Sequence, residues 1–120
     1  MNQKSEQFLT YLKEQQEQTN VQALALIQEE RSDEASFLKA KANIYDIFAT
    51  LFSVSEKQSA GDEEMLKEEF LKKAENVPQN WMKSLKLAKA HNDAAKIVME
   101  ETKLEAAEDI MKKYRELWEV

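Results

Sequence analysis

The 120-residue chain contains no cysteine and has only one glycine, one proline and one histidine. The absence of cysteine excludes disulfides, thiolate metal sites and cysteine nucleophiles. The scarcity of glycine and proline argues against a β fold, because turns and bulges use these residues whereas helix interiors exclude them. A chain without cysteine also suits a reducing compartment, so we expect a cytoplasmic protein.

Long apolar runs and basic clusters are missing as well. Apolar patches such as ALALI at residues 23–27 are far too short to cross a bilayer. The opening residues, MNQKSEQFLTYLKEQQEQ, lack the continuous apolar region of a signal peptide. The formal net charge is −6 and no segment is strongly basic, which disfavours a protein that must neutralise many phosphates. We therefore expect neither a membrane nor a nucleic acid as partner.

The abundant residues are the strong helix formers Ala, Leu, Lys, Glu, Gln and Met. Hydrophobic residues make up 42% of the chain, and a chain of this length can bury enough of them to form a core. The sequence predicts an all-α protein with a single domain over residues 1–120. We expect an antiparallel bundle of about four helices, the last one the longest, at approximately residues 4–31, 33–57, 62–76 and 79–118.

The first helix boundary is the least defined, because no glycine or proline precedes Gly61. In the stretch EERSDEA at residues 29–35, Ser32 or Asp33 can cap a new helix. A break near residue 32 is our interpretation, and one bent helix over residues 4–56 is the alternative. The second helix has a broad aromatic face, so we expect it to be the most buried.

Later boundaries have stronger signals. Gly61 and Asp62 lie in the stretch SEKQSAGDEE at residues 55–64, which predicts a loop followed by a capped helix. Pro78 disfavours helical backbone at Val77, so the third helix should end near Asn76. The final helix then runs without interruption to about residue 118.

The final helix carries two apolar seams on different sides. A helix with two seams contacts two neighbours, either two helices of the same chain or one internal helix and one from a second copy. One seam contains Trp81, Leu85, Ala88, Ala95, Met99, Ala106 and Ile110, and the other contains Leu87, Ala94, Ile97, Leu104, Met111, Tyr114 and Trp118.

A search for catalytic or metal-binding motifs finds little to support an enzyme. With His91 as the only histidine, paired Glu-x-x-His motifs and HExxH cannot be present. One glycine likewise excludes a glycine-rich phosphate loop. We expect no enzymatic activity, no metal and no cofactor.

The stretch NVPQNWMKSLKLAKAHNDAAK at residues 76–96 combines the only proline, a tryptophan and the only histidine. We interpret it mainly as the start of a helix whose lysines face solvent. Exposed aromatic residues are nevertheless frequent in protein interfaces. The resulting candidate binding residues are Trp81, Met82, Lys83, His91, Tyr114 and Trp118.

The pattern favours a non-enzymatic module for protein–protein interaction or regulation. Its partner would be another protein or a second copy of the same chain, as in a homodimer. The alternative is a small-molecule-binding bundle with an apolar cavity near residues 44–54, since bundles commonly hold ligands between their helices.

Overall fold

The computed structural model describes residues 2–119, which are helical apart from short connections. Its helices are α1 Gln3–Gln28, α2 Ser32–Ser59, α3 Glu63–Asn76, α4 Pro78–Ala90 and α5 Ala94–Trp118. Only Val77 separates α3 from α4, and its backbone stays helical (φ −59°, ψ −44°). The two therefore form one bent element, and the expected all-α bundle of about four helical elements is confirmed.

The connection between α1 and α2 confirms the expected break near residue 32 and excludes one continuous helix. Glu30 adopts a left-handed backbone conformation (φ 62°). The Arg31 backbone N–H then donates to the Leu26 carbonyl at 2.8 Å. This arrangement satisfies a carbonyl that the end of the helix leaves free and turns the chain back on itself. α1 and α2 consequently form an antiparallel hairpin.

The expectation of one uninterrupted helix over residues 79–118 is wrong. The helix ends at Ala90, and α5 begins at Ala94. Asn92 turns the chain with a positive φ of 54°, and the Asp93 side chain accepts a hydrogen bond from the Lys96 N–H at 3.2 Å. Asparagine tolerates this backbone region and aspartate is a strong N-cap, so the break forms without glycine or proline.

The loop between α2 and α3 lies where the sequence predicts it, although α2 extends to Ser59. Ala60 and Gly61 both have positive φ values, and glycine adopts this conformation without steric cost. The Asp62 carboxylate accepts hydrogen bonds from the N–H groups of Glu64 and Met65, at 3.1 and 3.2 Å. This N-cap fixes the start of α3.

Aromatic rings from four helices meet in the core. The Phe8 ring of α1 is fully buried and makes edge contacts with four other rings. Its centroid lies 5.1 Å from Phe52, 5.6 Å from Phe70 and from Tyr114, and 5.8 Å from Trp118. Such edge-to-face pairs are favoured by the charge distribution of aromatic rings. Phe8 thus connects α1 to α2, α3 and α5.

The core as a whole occupies one end of the α1–α2 hairpin. Its buried members are Phe8, Leu12, Ile44, Tyr45, Phe48, Phe52, Leu66, Phe70, Ala74, Ala106, Ala107, Ile110 and Tyr114. α1 contributes only from its first half, and α2 only from residue 44 onward. The helix α2 supplies more buried residues than any other described helix, as the sequence predicts.

Beyond this core, small side chains hold the hairpin together. The buried residues there are Thr19, Ala23, Ala35 and Ala42. The molecule is correspondingly elongated, with principal extents of 46 × 33 × 22 Å. Its radius of gyration is 15.7 Å, whereas a compact domain of this length has about 14 Å. Small residues let two helices approach closely but bury little apolar area each, so hydrophobic burial stabilises the turn end of the hairpin less than the core end.

The two expected seams of the last helix are covered unevenly. In the second half of α5, Ile110 from one seam and Tyr114 from the other are both buried. Near the α4–α5 turn, Ala88 of the first seam is buried, Leu87 of the second seam is 60% exposed, and Val98, which lies outside both seams, is 44% exposed. Among the helices of residues 2–119, α4 approaches only α3 and α5. Both seams therefore have internal partners at the core end, and the second seam is exposed toward the turn, where Leu87 and Ala94 lie.

We predict that Phe8→Ala destabilises the protein by about 3–5 kcal/mol, because it removes a fully buried ring and leaves a cavity among four others. Urea denaturation followed by circular dichroism measures the change. Phe37→Ala is the matched control, since Phe37 is partly exposed and should cost much less. An equal loss for the two variants would contradict the central position assigned to Phe8.

Candidate interaction surface

Two of the candidate binding residues belong to the core. Tyr114 is only 1% exposed and stacks on Trp118, with ring centroids 4.6 Å apart and planes 22° from parallel. Trp118 also makes an edge contact with Phe52 at 5.7 Å. These two side chains close the core end of the bundle, where Tyr114 is buried and Trp118 is partly exposed.

The other candidate residues lie elsewhere. Trp81 is partly buried and packs against the core, whereas Met82 is 44% exposed and Lys83 is exposed. His91 is exposed at the C-terminal end of α4. The whole length of α5, about 37 Å at 1.5 Å per residue, lies between His91 and Trp118. The structure therefore brings Tyr114 and Trp118 together but separates them from His91.

Met82 lines a recess between α3, α4 and α5. The recess has a volume of about 460 Å³. Its lining comprises Ala74, Pro78, Met82, Leu104, Ala107, Glu108, Met111 and Arg115. Apart from one carboxylate and one guanidinium, these side chains are apolar, and the methionines can adapt to different shapes.

Residues 44–54, where the sequence suggests an apolar cavity, point most of their large side chains into the packed core. Phe48 and Phe52 are both 0% exposed, and Ile44 is 1% exposed. A recess of about 430 Å³ lies beside Ser53, but Glu56, Lys57, Asp62 and Glu63 are among the residues that line it. The large apolar side chains of this segment thus pack mostly into the core, and the adjoining recess is lined mainly by residues of polar or charged type.

Burial raises the pKa of two titratable side chains of α2. Burial, together with the nearby Tyr11 and Asp109, raises the pKa of Tyr45 to about 12, so its hydroxyl stays protonated at neutral pH. Burial also raises the pKa of Glu56 above its usual value. Within residues 2–119, no group of three or more His, Cys, Asp or Glu side chains is arranged to hold a metal ion.

Three of the exposed large apolar side chains lie on the second half of α1. Val21 is 65% exposed, Leu24 is 59% exposed and Ile27 is 41% exposed. They occur at intervals of three residues, so they follow a gently winding stripe on one side of the helix. The opposite side, with Thr19 and Ala23, is buried.

The segment that carries this stripe has no charge on any side. Residues 18–28, QTNVQALALIQ, contain no Asp, Glu, Lys or Arg in a chain that is 33% charged. We call residues 18–28 the uncharged segment. A solvent-facing helix surface normally carries charged residues, and a helix without them is typically covered by protein. The described residues leave most of this segment exposed.

Sequence periodicity alone misses this surface. Apolar spacing identifies a buried face, and Ala23 and Leu26 satisfy that expectation without revealing which apolar residues remain outside. The sequence feature that could have revealed this surface is the absence of charged residues. A second uncharged stretch, residues 47–55, forms the centre of the core through Phe48 and Phe52, whereas the uncharged segment lies beyond the core.

A further unusual group is Glu100 of α5, which is only 5% exposed. Its Oε1 atom accepts a hydrogen bond from Lys103 Nζ at 3.3 Å. Its Oε2 atom is buried and has no hydrogen-bond partner among residues 2–119. A buried carboxylate with a single partner costs free energy, because water no longer solvates its second oxygen.

We predict that Glu100→Met leaves the melting temperature unchanged or raises it, since an apolar side chain of similar size removes the desolvation cost. Lys103→Met should lower the melting temperature, because the Glu100 carboxylate then loses its one partner. The expected loss in the free energy of unfolding is about 1–3 kcal/mol. Differential scanning calorimetry of both variants at pH 7 measures the difference. If Glu100→Met lowers stability as much as Lys103→Met does, the Glu100 carboxylate stabilises the fold, and the prediction that its burial is costly is wrong.

No helix in the part of the chain that the structure describes is both long enough and apolar enough to span a membrane. In comparisons with protein-family models, with curated proteins and with solved structures, the chain has no significant match.

Proposed function

We propose that this protein is a non-enzymatic protein–protein interaction module of the cytoplasm, and that it docks through the uncharged segment of α1. The observation that carries this proposal is the exposure of Val21, Leu24 and Ile27 on a helix segment without charges. Burying such side chains against a partner gains about 25 cal/mol for each Å² of apolar surface removed from water.

The nature of the segment favours a protein as the partner. An apolar helix face fits the apolar face of another helix, with side chains interlocking as in a bundle. The formal charge of −6 opposes binding to nucleic acid or to an anionic membrane surface. An assembled catalytic group would argue for an enzyme instead, and the buried tyrosines and Glu100 form no such arrangement.

Site-specific photo-crosslinking in cells tests this proposal. A photoreactive phenylalanine analogue at position 24 should give discrete, heavier adducts, because Leu24 lies at the centre of the exposed stripe. The matched control is the same analogue at Gln22, which is exposed in the same segment but lies about 160° away around the helix.

The adducts at position 24 should disappear when Val21→Glu is introduced into the same chain, because a carboxylate beside the contact disfavours burial. The absence of adducts at position 24, or the same adducts at positions 22 and 24, would refute docking through this face.

A second candidate function is the binding of a small apolar molecule, and the recess around Met82 supports it. Its volume of about 460 Å³ lies within the range of ligand pockets, about 300–1,000 Å³. The site differs from the sequence interpretation, which places the cavity near residues 44–54.

A thermal-shift screen with small apolar compounds tests this candidate. A ligand of the recess raises the melting temperature of the protein with increasing concentration. The Met82→Glu variant should lose this response, because it places a charge on the apolar lining. Met65→Glu is the control, since Met65 is equally exposed at 44% and is not among the lining residues of the recess. Stabilisation that survives Met82→Glu would exclude the recess as the binding site.

A further inference from the structure

We propose that the partner of the uncharged segment is a second copy of this chain, with the two α1 helices antiparallel about a two-fold axis at Leu24. This inference rests on the proposed interaction function and names its partner.

Electrostatics restricts where two copies can meet. Each copy carries a formal charge of −6, so like charges oppose close approach over most of the surface. The uncharged segment is the longest stretch of the chain without Asp, Glu, Lys or Arg. Contact between two such segments removes no carboxylate and no ammonium group from water, and therefore avoids the main cost of bringing acidic chains together.

The apolar stripe is also complementary to itself. In an isologous pair, each side of the contact is formed by the same residues on both copies. Val21 and Ile27 are both three residues from Leu24, so an antiparallel pair centred on Leu24 places Val21 of each copy against Ile27 of the other. Leu24 then meets its own equivalent on the axis. Four residues from the centre, Asn20 faces Gln28, and their amides can form hydrogen bonds.

Acidic residues border this contact at both ends. Glu17 of one copy approaches the helix end of the other, where Glu29 and Glu30 lie. A single pair of helices over three turns also buries less than the roughly 1,200 Å² of a typical stable complex. We therefore infer a weak, reversible dimer that becomes tighter as salt screens the bordering carboxylates.

Cysteine crosslinking tests the geometry directly, because the chain has no cysteine of its own. Under mild oxidation, the Leu24→Cys variant should form a disulfide-linked dimer at least about tenfold faster than the Gln22→Cys variant, since only residue 24 lies within disulfide reach of its equivalent. A mixture of Val21→Cys and Ile27→Cys chains should give mainly the mixed dimer. Preferential Val21–Val21 linkage would overturn the antiparallel arrangement.

Sedimentation equilibrium tests the association without crosslinking. The weight-average molar mass should rise from that of the 14.0 kDa chain toward twice that value as the protein concentration increases from about 10 µM to about 1 mM. Added salt should raise it further. Leu24→Glu should weaken association at least about tenfold through its buried charge. Gln22→Glu adds the same charge on the far side of the helix and should have little effect.

The outcomes separate the partner from the function. A mass of 14.0 kDa at every concentration, or equal crosslinking at positions 22 and 24, overturns self-association. If photo-crosslinks at position 24 then link the chain to a different protein, the interaction function stands with another partner. If they are absent too, both proposals fail.

Discussion

The contact of Phe8 with four other aromatic rings is the interaction on which the arrangement of helices depends. The ring comes from α1, and its neighbours Phe52, Phe70, Tyr114 and Trp118 come from α2, α3 and α5. With no disulfide and only one proline to restrict the chain, burial of these large rings is what selects one packing of long helices over others. The N-caps and turns then determine where the chain reverses between successive helices.

This concentration of large side chains at one end has a consequence for the other end. Beyond Leu12, α1 packs on α2 through small buried residues such as Ala23 and Ala35, and the core does not extend to the outer side of α1, where Val21 and Leu24 are exposed. The same feature leaves Leu87 and Val98 exposed near the α4–α5 turn. The parts of the chain that the core does not reach thus keep apolar side chains exposed, and the proposed docking surface is the one on α1. A dimer through α1 would extend the apolar packing that the single chain leaves incomplete.

Much of the fold could be predicted from the sequence, because the signals are local. The caps at Asp62 and the turn at Gly61 are strong, and the scarcity of proline and glycine indicates helices throughout. The break at Asn92 was missed because asparagine in a left-handed turn looks like any polar helix residue in sequence. Among the candidate site residues, Tyr114 proved to be core, since helical periodicity does not distinguish an internal neighbour from an external one. The exposure of Leu24 could not be foreseen from spacing, because it depends on how far the aromatic core extends along α1.

Amide hydrogen exchange along α1, measured at low and at high protein concentration, tests this view of the molecule most directly. At low concentration, amides around Phe8 and Leu12 should exchange only through global unfolding, and those of residues 18–28 at least about tenfold faster through local opening. Raising the concentration should slow exchange in residues 18–28 and leave the core amides unchanged. Uniform protection along α1 that does not depend on concentration would contradict both the single core and the interface on the uncharged segment.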